Sequence, residues 1–236
     1  MLRSTPRLAE ALLAAALASS ACAITDQADE VAPSGFLADV GQLRPGGEGE
    51  ALLVYHAPDL DLSSYRALLV EPIEVWPTIE NAAASERDLQ RLARLFRATV
   101  VARLEREFVV GPQRGEGVLV VRAALTEAHG SNVALDSLTS VVPAGRALSA
   151  ASALATGAHA FVGSAAVEAE VLDGATGRRL MAGIDRRVGN KVVRDSLSKW
   201  SDVEGAFEAW AEQLAGRLKR QGLERQGLER RGSARR

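Results

Sequence analysis

Scarcity sets the first limits on this chain of 236 residues, which has one cysteine, three histidines, two methionines and, among aromatics, three Trp, two Tyr and five Phe. With one cysteine no intrachain disulfide can form, even in an oxidising compartment, so packing alone must hold the fold. His56, His129 and His159 are isolated, with no two at helical ligand spacing and no cysteine near them. Zinc or iron chemistry therefore has no ligand set, and no metal is expected. There is no Gly-x-Ser-x-Gly nucleophile elbow. The glycine-rich stretch 111–117 (GPQRGEG) matches neither the dinucleotide fingerprint nor the P-loop, which ends in Lys-Ser/Thr, so it reads as a loop and no cofactor is expected. The carboxylate pairs Asp59/Asp61 and Glu168/Glu170 read as a turn and a solvated strand face. These absences remove the familiar catalytic constellations and point to a protein that is not an enzyme.

Long apolar runs are missing too. The run at 11–18 (ALLAAALA) is far short of the roughly 20 residues that a bilayer-crossing helix needs. The sequence ALSAASALATGAHAFVGSAAV, uncharged between Arg146 and Glu168, is too dilute in large apolar side chains to span. It reads as a buried, tightly packed helix over 144–155 that turns at Thr156-Gly157, approached by a 133–143 loop over a groove.

What is present fits a globular body: 47% hydrophobic and 25% charged residues, in a length that suits one domain with tails. The formal net charge of -2 conceals an asymmetry. The first 21 residues carry two basic and one acidic side chain and the last 20 carry eight basic and two acidic, so residues 22–216 hold -9. An acidic body argues against nucleic acid, which needs clustered cations at its phosphates. The basic end, in which QGLER at 221–225 is repeated at 226–230, reads as a disordered tail over 221–236 rather than as a contact for anionic lipid.

The amino terminus has the layout of an export signal over 1–21: Arg3 and Arg7, then the short apolar run, then small residues before Cys22. Three fates follow for that cysteine. Cleavage before it would expose it to acylation, and three acyl chains would hold the protein on a membrane stably. Cleavage after Ala21 would leave a free thiol, and cleavage after Ala23 would discard it. Lipidation at Cys22 is the favoured outcome, although Ser19 stands where such signals carry leucine. Ala23, in place of an inner-membrane-retaining Asp, favours the outer membrane, with the domain in the periplasm.

Residues 22–47 are polar, acidic and punctuated by Pro and Gly, which predicts a tether. Within it Ser34-Gly35-Phe36-Leu37 reads as an apolar anchor that docks on the domain. A single domain is expected over 48–220. Residues 51–56 and 67–76 are β-type runs, with Pro72 marking an edge, a bulge or a strand end. Residues 85–107 space Leu89, Leu92, Phe96, Val100 and Leu104 three or four apart, an amphipathic helix capped by Ser85. Residues 108–110 suggest a short strand and 118–126 a buried central one. A hairpin follows: Val167, Ala169 and Val171 alternate with Glu168 and Glu170, and Leu180, Ala182 and Ile184 with Arg179, Met181 and Asp185. Its charges, Arg186 included, are expected to pair across an exposed face. Ser201 opens a last helix with a capping-box sequence and Val203, Phe207, Trp210, Leu214 and Leu218 on one face. The fold class read from this order is α+β: a two-layer domain, a mixed, mostly antiparallel β-sheet of about five or six strands with two to three helices packed on it.

Several of these motifs, in this order, carry a resemblance. Ser34-Gly35-Phe36-Leu37, the 65–76 strand, Pro143-Ala144-Gly145-Arg146-Ala147-Leu148-Ser149, Asp185-Arg186-Arg187 and Ser198-Lys199-Trp200 ahead of the last helix resemble the uncharacterised bacterial lipoprotein family known as domain of unknown function 3313. The resemblance covers nearly all of the mature chain. It implies a lipid-anchored envelope protein and supplies no activity and no catalytic residues. At fold level alone the element order is also similar to periplasmic domains of the TolB amino-terminal and curli-secretion type. The expected function is therefore a non-catalytic, lipid-anchored envelope lipoprotein that binds a protein partner or scaffolds an assembly. Arg186, Arg187, Lys199 and Trp200 are its candidate surface, with packing beside the last helix as the competing role for Trp200. The alternative is a small-ligand or lipid carrier using a groove beneath the 133–143 loop, which an apolar cavity of several hundred Å³ there would favour and a solid core would remove.

Overall fold

The computed structural model describes residues 25–76, 84–130, 163–189 and 200–223. The expected signal, Cys22, the 133–143 loop, the 144–155 helix, Lys199 and the tail beyond Leu223 lie outside these residues. The strands are β1 (Thr25–Gln27), β2 (Arg44–Pro45), β3 (Leu53–His56), β4 (Ala67–Val70), β5 (Glu74–Val75), β6 (Val118–His129), β7 (Ser164–Asp173) and β8 (Arg179–Gly189). The helices are α1 (Glu86–Leu104) and α2 (Ser201–Arg220). They make an α+β domain around one eight-stranded sheet in the order β2-β3-β8-β7-β6-β4, with β1 also on β8 and β5 also on β6. The class is the expected one and the strand count is higher, because short strands at the amino terminus and after Pro72 join the sheet. β4 and β5 run parallel to β6 and the other pairs are antiparallel. The parallel pairing follows from α1, whose length carries the chain from one end of β4 back to the start of β6.

Local chemistry explains the element ends. Pro72 has no N–H to donate, and the run 67–76 accordingly breaks there into β4 and β5. Ser85 caps α1 by accepting a hydrogen bond from the Asp88 N–H at 3.1 Å. The α1 stripe of Leu92, Phe96, Val100 and Leu104 is buried, and Phe96 stacks on Phe207 of α2 with ring centroids 4.5 Å apart. The cap position of α2 is held by Trp200 and not by the expected Ser201, which is the first helical residue. Asp202 accepts the Gly163 N–H at 2.6 Å, tying the start of α2 to β7. At the other end Gly222 adopts φ 89° and the Leu223 N–H reaches the Leu218 carbonyl at 3.1 Å. Leu223 is thereby folded into the core at 2% exposure, so the domain ends at least three residues beyond the expected boundary at 220. The short strand expected at 108–110 reduces to a single bridge between Leu68 and Val110.

The largest departure is at the hairpin, where both faces are covered. Val167, Ala169 and Val171 face the helices together with Met181, while Ala182 and Ile184 face the opposite way, onto Phe36 and Leu37. Residues 25–47, expected as a tether, are built into the fold: β1 pairs with β8 and the chain beyond it crosses the outer sheet face. The Ser34–Leu37 anchor docks as expected, and it buries charge as well as apolar surface. Glu168 is 0% exposed and accepts the backbone N–H groups of Ser34 and of Leu37, the latter at 2.9 Å. Glu170 is held between Arg122 at 2.9 Å and Arg179 at 2.8 Å, and Arg122 lies 4.3 Å over the Phe36 ring. The Trp76 indole N–H donates to the Ser34 carbonyl at 3.2 Å and its ring meets Phe36 edge-on. The pairs expected on a solvated strand face are thus internal contacts. The covering segment needs acceptors for its own N–H groups, and Glu168 supplies them.

Candidate ligand-binding cavity

The helix face of the sheet has a gap, and its cause lies in the register. Ala123 of β6 sits opposite Ala169 of β7, and Ala169 opposite Gly183 of β8. The row of small residues is flanked on one side by Val121, Val171 and Met181 and on the other by Leu125, Val167 and Asp185. Bulky side chains on either side support α1 and α2, and none of the described residues fills the space over the row. A cavity of about 140 Å³ remains, roofed by Phe96, Val100, Trp210 and Leu214. Ala169 and Gly183 lie mid-sheet yet keep partial exposure, because the cavity opens to solvent beyond them.

The opening is polar where the interior is not. Its rim carries Glu50 from the β2–β3 turn, His56 from the end of β3, and Gln213, Arg217 and Arg220 from α2. The Arg217 guanidinium bonds Glu50 and also meets His56 Nε2. A guanidinium can only donate, so Nε2 accepts and the ring is neutral, with its proton on Nδ1. Burial, and then the charge of Arg44, hold the His56 pKa below its ordinary value. Arg220 and Arg44 are each close enough to repel Arg217. Deeper in, Asp185 accepts the Trp210 indole N–H at 2.7 Å, the Gln27 amide at 2.6 Å and the Leu52 N–H at 3.1 Å. Three donors occupy this carboxylate and fix it as part of the wall.

The structure describes three of the four residues of the surface expected from the sequence. Arg186 and Arg187 are neighbours on β8 and point to opposite faces. Arg186 forks onto Glu127, with bonds of 2.9 to 3.1 Å, while Arg187 bonds the Thr25 hydroxyl at 3.0 Å and the Thr25 carbonyl at 2.9 Å. Burial alone would raise the Glu127 pKa, but the bonds and charge of Arg186 outweigh it and the net shift is downward. Trp200 is 5% exposed within the main core, which is the packing role and not the surface role. Lys199 and Cys22 lie outside the described residues. The residues that do form a site, Ala123, Ala169, Gly183, His56 and Arg217, carry no motif. The one signal in the sequence is a small residue flanked two positions away by large ones in three separate strands, and it acquires meaning only through register.

A family model matches residues 32–214, from the docked segment into α2. Its description is protein of unknown function, DUF3313. The chain belongs to this family. Among solved structures the DUF3313 chain is similar to the PelC dodecamer from Paraburkholderia phytofirmans, with 13% identity, a TM-score of 0.36, and coverage of 68% of this chain and 93% of that one. It is also similar to protein XCC0632 from Xanthomonas campestris, of the DUF330 family, with 14% identity, a TM-score of 0.38, and coverage of 71% of this chain and 91% of that one. Comparison with curated proteins gives no match. Among the described residues no helix is long and apolar enough to cross a membrane, and no three His, Cys, Asp or Glu converge on a possible metal position.

Proposed function

We propose that this DUF3313 chain is a non-catalytic, lipid-anchored protein of the bacterial envelope that binds a small apolar ligand between its sheet and its helices. The carrying observation is the cavity of about 140 Å³ over the Ala123–Ala169–Gly183 row, apolar within and polar at its mouth. An engineered cavity of about that volume takes up a benzene-sized guest, and sites of this kind are mostly apolar with few placed polar groups. Membrane attachment rests on the leader and on Cys22. Only Ala23 and Ile24 separate that cysteine from β1 in the sequence, which supports a domain held at its membrane rather than on a long leash. Partner binding through Trp200 loses its support, since that ring is in the core.

Two measurements test the two halves. Cys22→Ala should abolish labelling by a radioactive fatty acid and move the protein to the soluble fraction; retained label or retained membrane association defeats the anchor. Titration calorimetry with 1-octanol should show saturable binding that Ala169→Leu removes, because the added side chain occupies the cavity. Absence of saturable binding to the unmodified cavity defeats the ligand reading.

A further inference from the structure

The mouth of the cavity carries two guanidinium groups against the one carboxylate of Glu50, while the two carboxylates of the walls are held elsewhere, Glu170 by Arg122 and Arg179 and Asp185 by its three donors. Arg217 and Arg220 line it, Arg44 is near enough to repel Arg217, and Glu50 is the carboxylate that Arg217 pairs with at the rim. Arg220 is exposed at the end of α2, and Arg217 reaches past Glu50 to a neutral His56. Like charges held together at the rim repel, and an anion bound between them would relieve that repulsion. Guanidinium groups bind carboxylate and phosphate through paired N–H donors, so the arrangement selects a planar or tetrahedral oxyanion rather than a point charge. Directly below, the walls turn apolar within one side chain: Met181, Val171 and Val100 replace the charged rim. A ligand that satisfies both zones has an anionic head and a hydrocarbon chain.

Resting on the ligand-binding reading above, we infer that the cavity takes a single-chain anionic amphiphile, with its chain over the Ala123–Ala169–Gly183 row and its head group held by Arg217 and Arg220. The volume of about 140 Å³ accommodates roughly six carbons, the end of a fatty acyl chain or the whole chain of a short one. Glu50 is then the resident counter-ion that the head group displaces from Arg217.

The test uses the full chain carrying Cys22→Ala, which removes the anchor and nothing that lines the cavity, with octanoate, 1-octanol and acetate as probes in titration calorimetry. Octanoate should bind at least about ten-fold more tightly than 1-octanol, and acetate should give no saturable signal. Arg217→Gln should bring octanoate to within about two-fold of 1-octanol. Arg220→Gln, at an exposed position that cannot unfold the domain, should weaken octanoate by about three-fold and leave 1-octanol unchanged. Glu50→Gln should tighten octanoate, because a competitor for Arg217 is gone. Equal binding of octanoate and 1-octanol overturns the charge inference and leaves the cavity reading standing. Octanoate affinity unchanged in both arginine variants overturns it as well. Binding of neither probe overturns both.

Discussion

Glu168 shows how one side chain can decide the status of a whole segment. Its carboxylate is fully buried between sheet and chain, and it accepts the N–H groups of Ser34 and Leu37. Glu168→Ala would leave those donors without a partner in a dry site, at a cost of about 3 kcal/mol. Urea unfolding should report that loss, and limited proteolysis should open the chain near Ser34 first. A loss below about 1 kcal/mol would mean that the carboxylate does not hold the segment. Leu223 carries a similar lesson at the other end. Ending the chain after Arg220 removes a fully buried leucine and the Gly222 turn, so stability should fall by about 2 to 4 kcal/mol, the range for emptying such a site. Thermal unfolding of that truncation checks it, and an unchanged midpoint would assign Leu223 no structural role. Neither residue is conspicuous in the sequence, where Glu168 reads as half of a surface pair and Leu223 as part of a repeated tail.

Among the elements, the two strands and the turn of the β7–β8 hairpin were legible although the cover on its charged face was not, and its turn has the most explicit electrostatics. Asp173 accepts the Tyr65 hydroxyl at 2.7 Å and the Thr176 hydroxyl and N–H, both at 2.7 Å, with the Ala175 N–H at 3.1 Å. These bonds, Tyr65 foremost, hold its pKa at about 2. A depressed acid stabilises the fold above its unfolded pKa near 4, and that contribution disappears as pH falls from about 4 to about 2. Burial and the same hydrogen bond raise Tyr65 to about 12, so its contribution is complete below its unfolded pKa near 10 and is lost as pH rises towards 12. Tyr65→Phe should therefore flatten the stability profile between pH 10 and 12 and shift the acid transition to higher pH. Denaturation midpoints across pH read both arms, and identical profiles for the two proteins would refute the coupling. The helices were equally readable from their apolar spacing. Less readable was the strand near Pro72, where a missing donor splits one run into β4 and β5.

At the scale of the molecule the domain is a sheet covered on both sides, by α1 and α2 on one face and by the amino-terminal chain on the other. A protein begun at residue 48, the boundary that composition suggests, would lose β1, β2 and the buried Phe36 and Leu37. Those two side chains alone are worth about 3 to 6 kcal/mol, against a total of about 5 to 15 kcal/mol for a typical domain. Calorimetry of that truncation should show a weak or absent cooperative transition, and a transition within about 5 °C of the intact protein would show that the cover is dispensable. The cavity is a property of the same scale. Ala123, Ala169 and Gly183 belong to three strands, and only the strand pairing sets them side by side beneath Phe96 and Trp210.

The division between sequence and fold follows from what periodicity can encode. Local patterns by themselves determined the two helices, the hairpin, the docking of Ser34 to Leu37 and membership of the α+β class, since each depends on spacing within one segment. Period-two alternation says that a strand has two faces; it does not say what covers each. The tertiary structure alone decided that the charged face of the hairpin is buried, that the supposed tether is part of the sheet, that Trp200 is core, and that three small residues in register leave a cavity. Each depends on which distant segments meet, and that is settled by the packing of the whole chain.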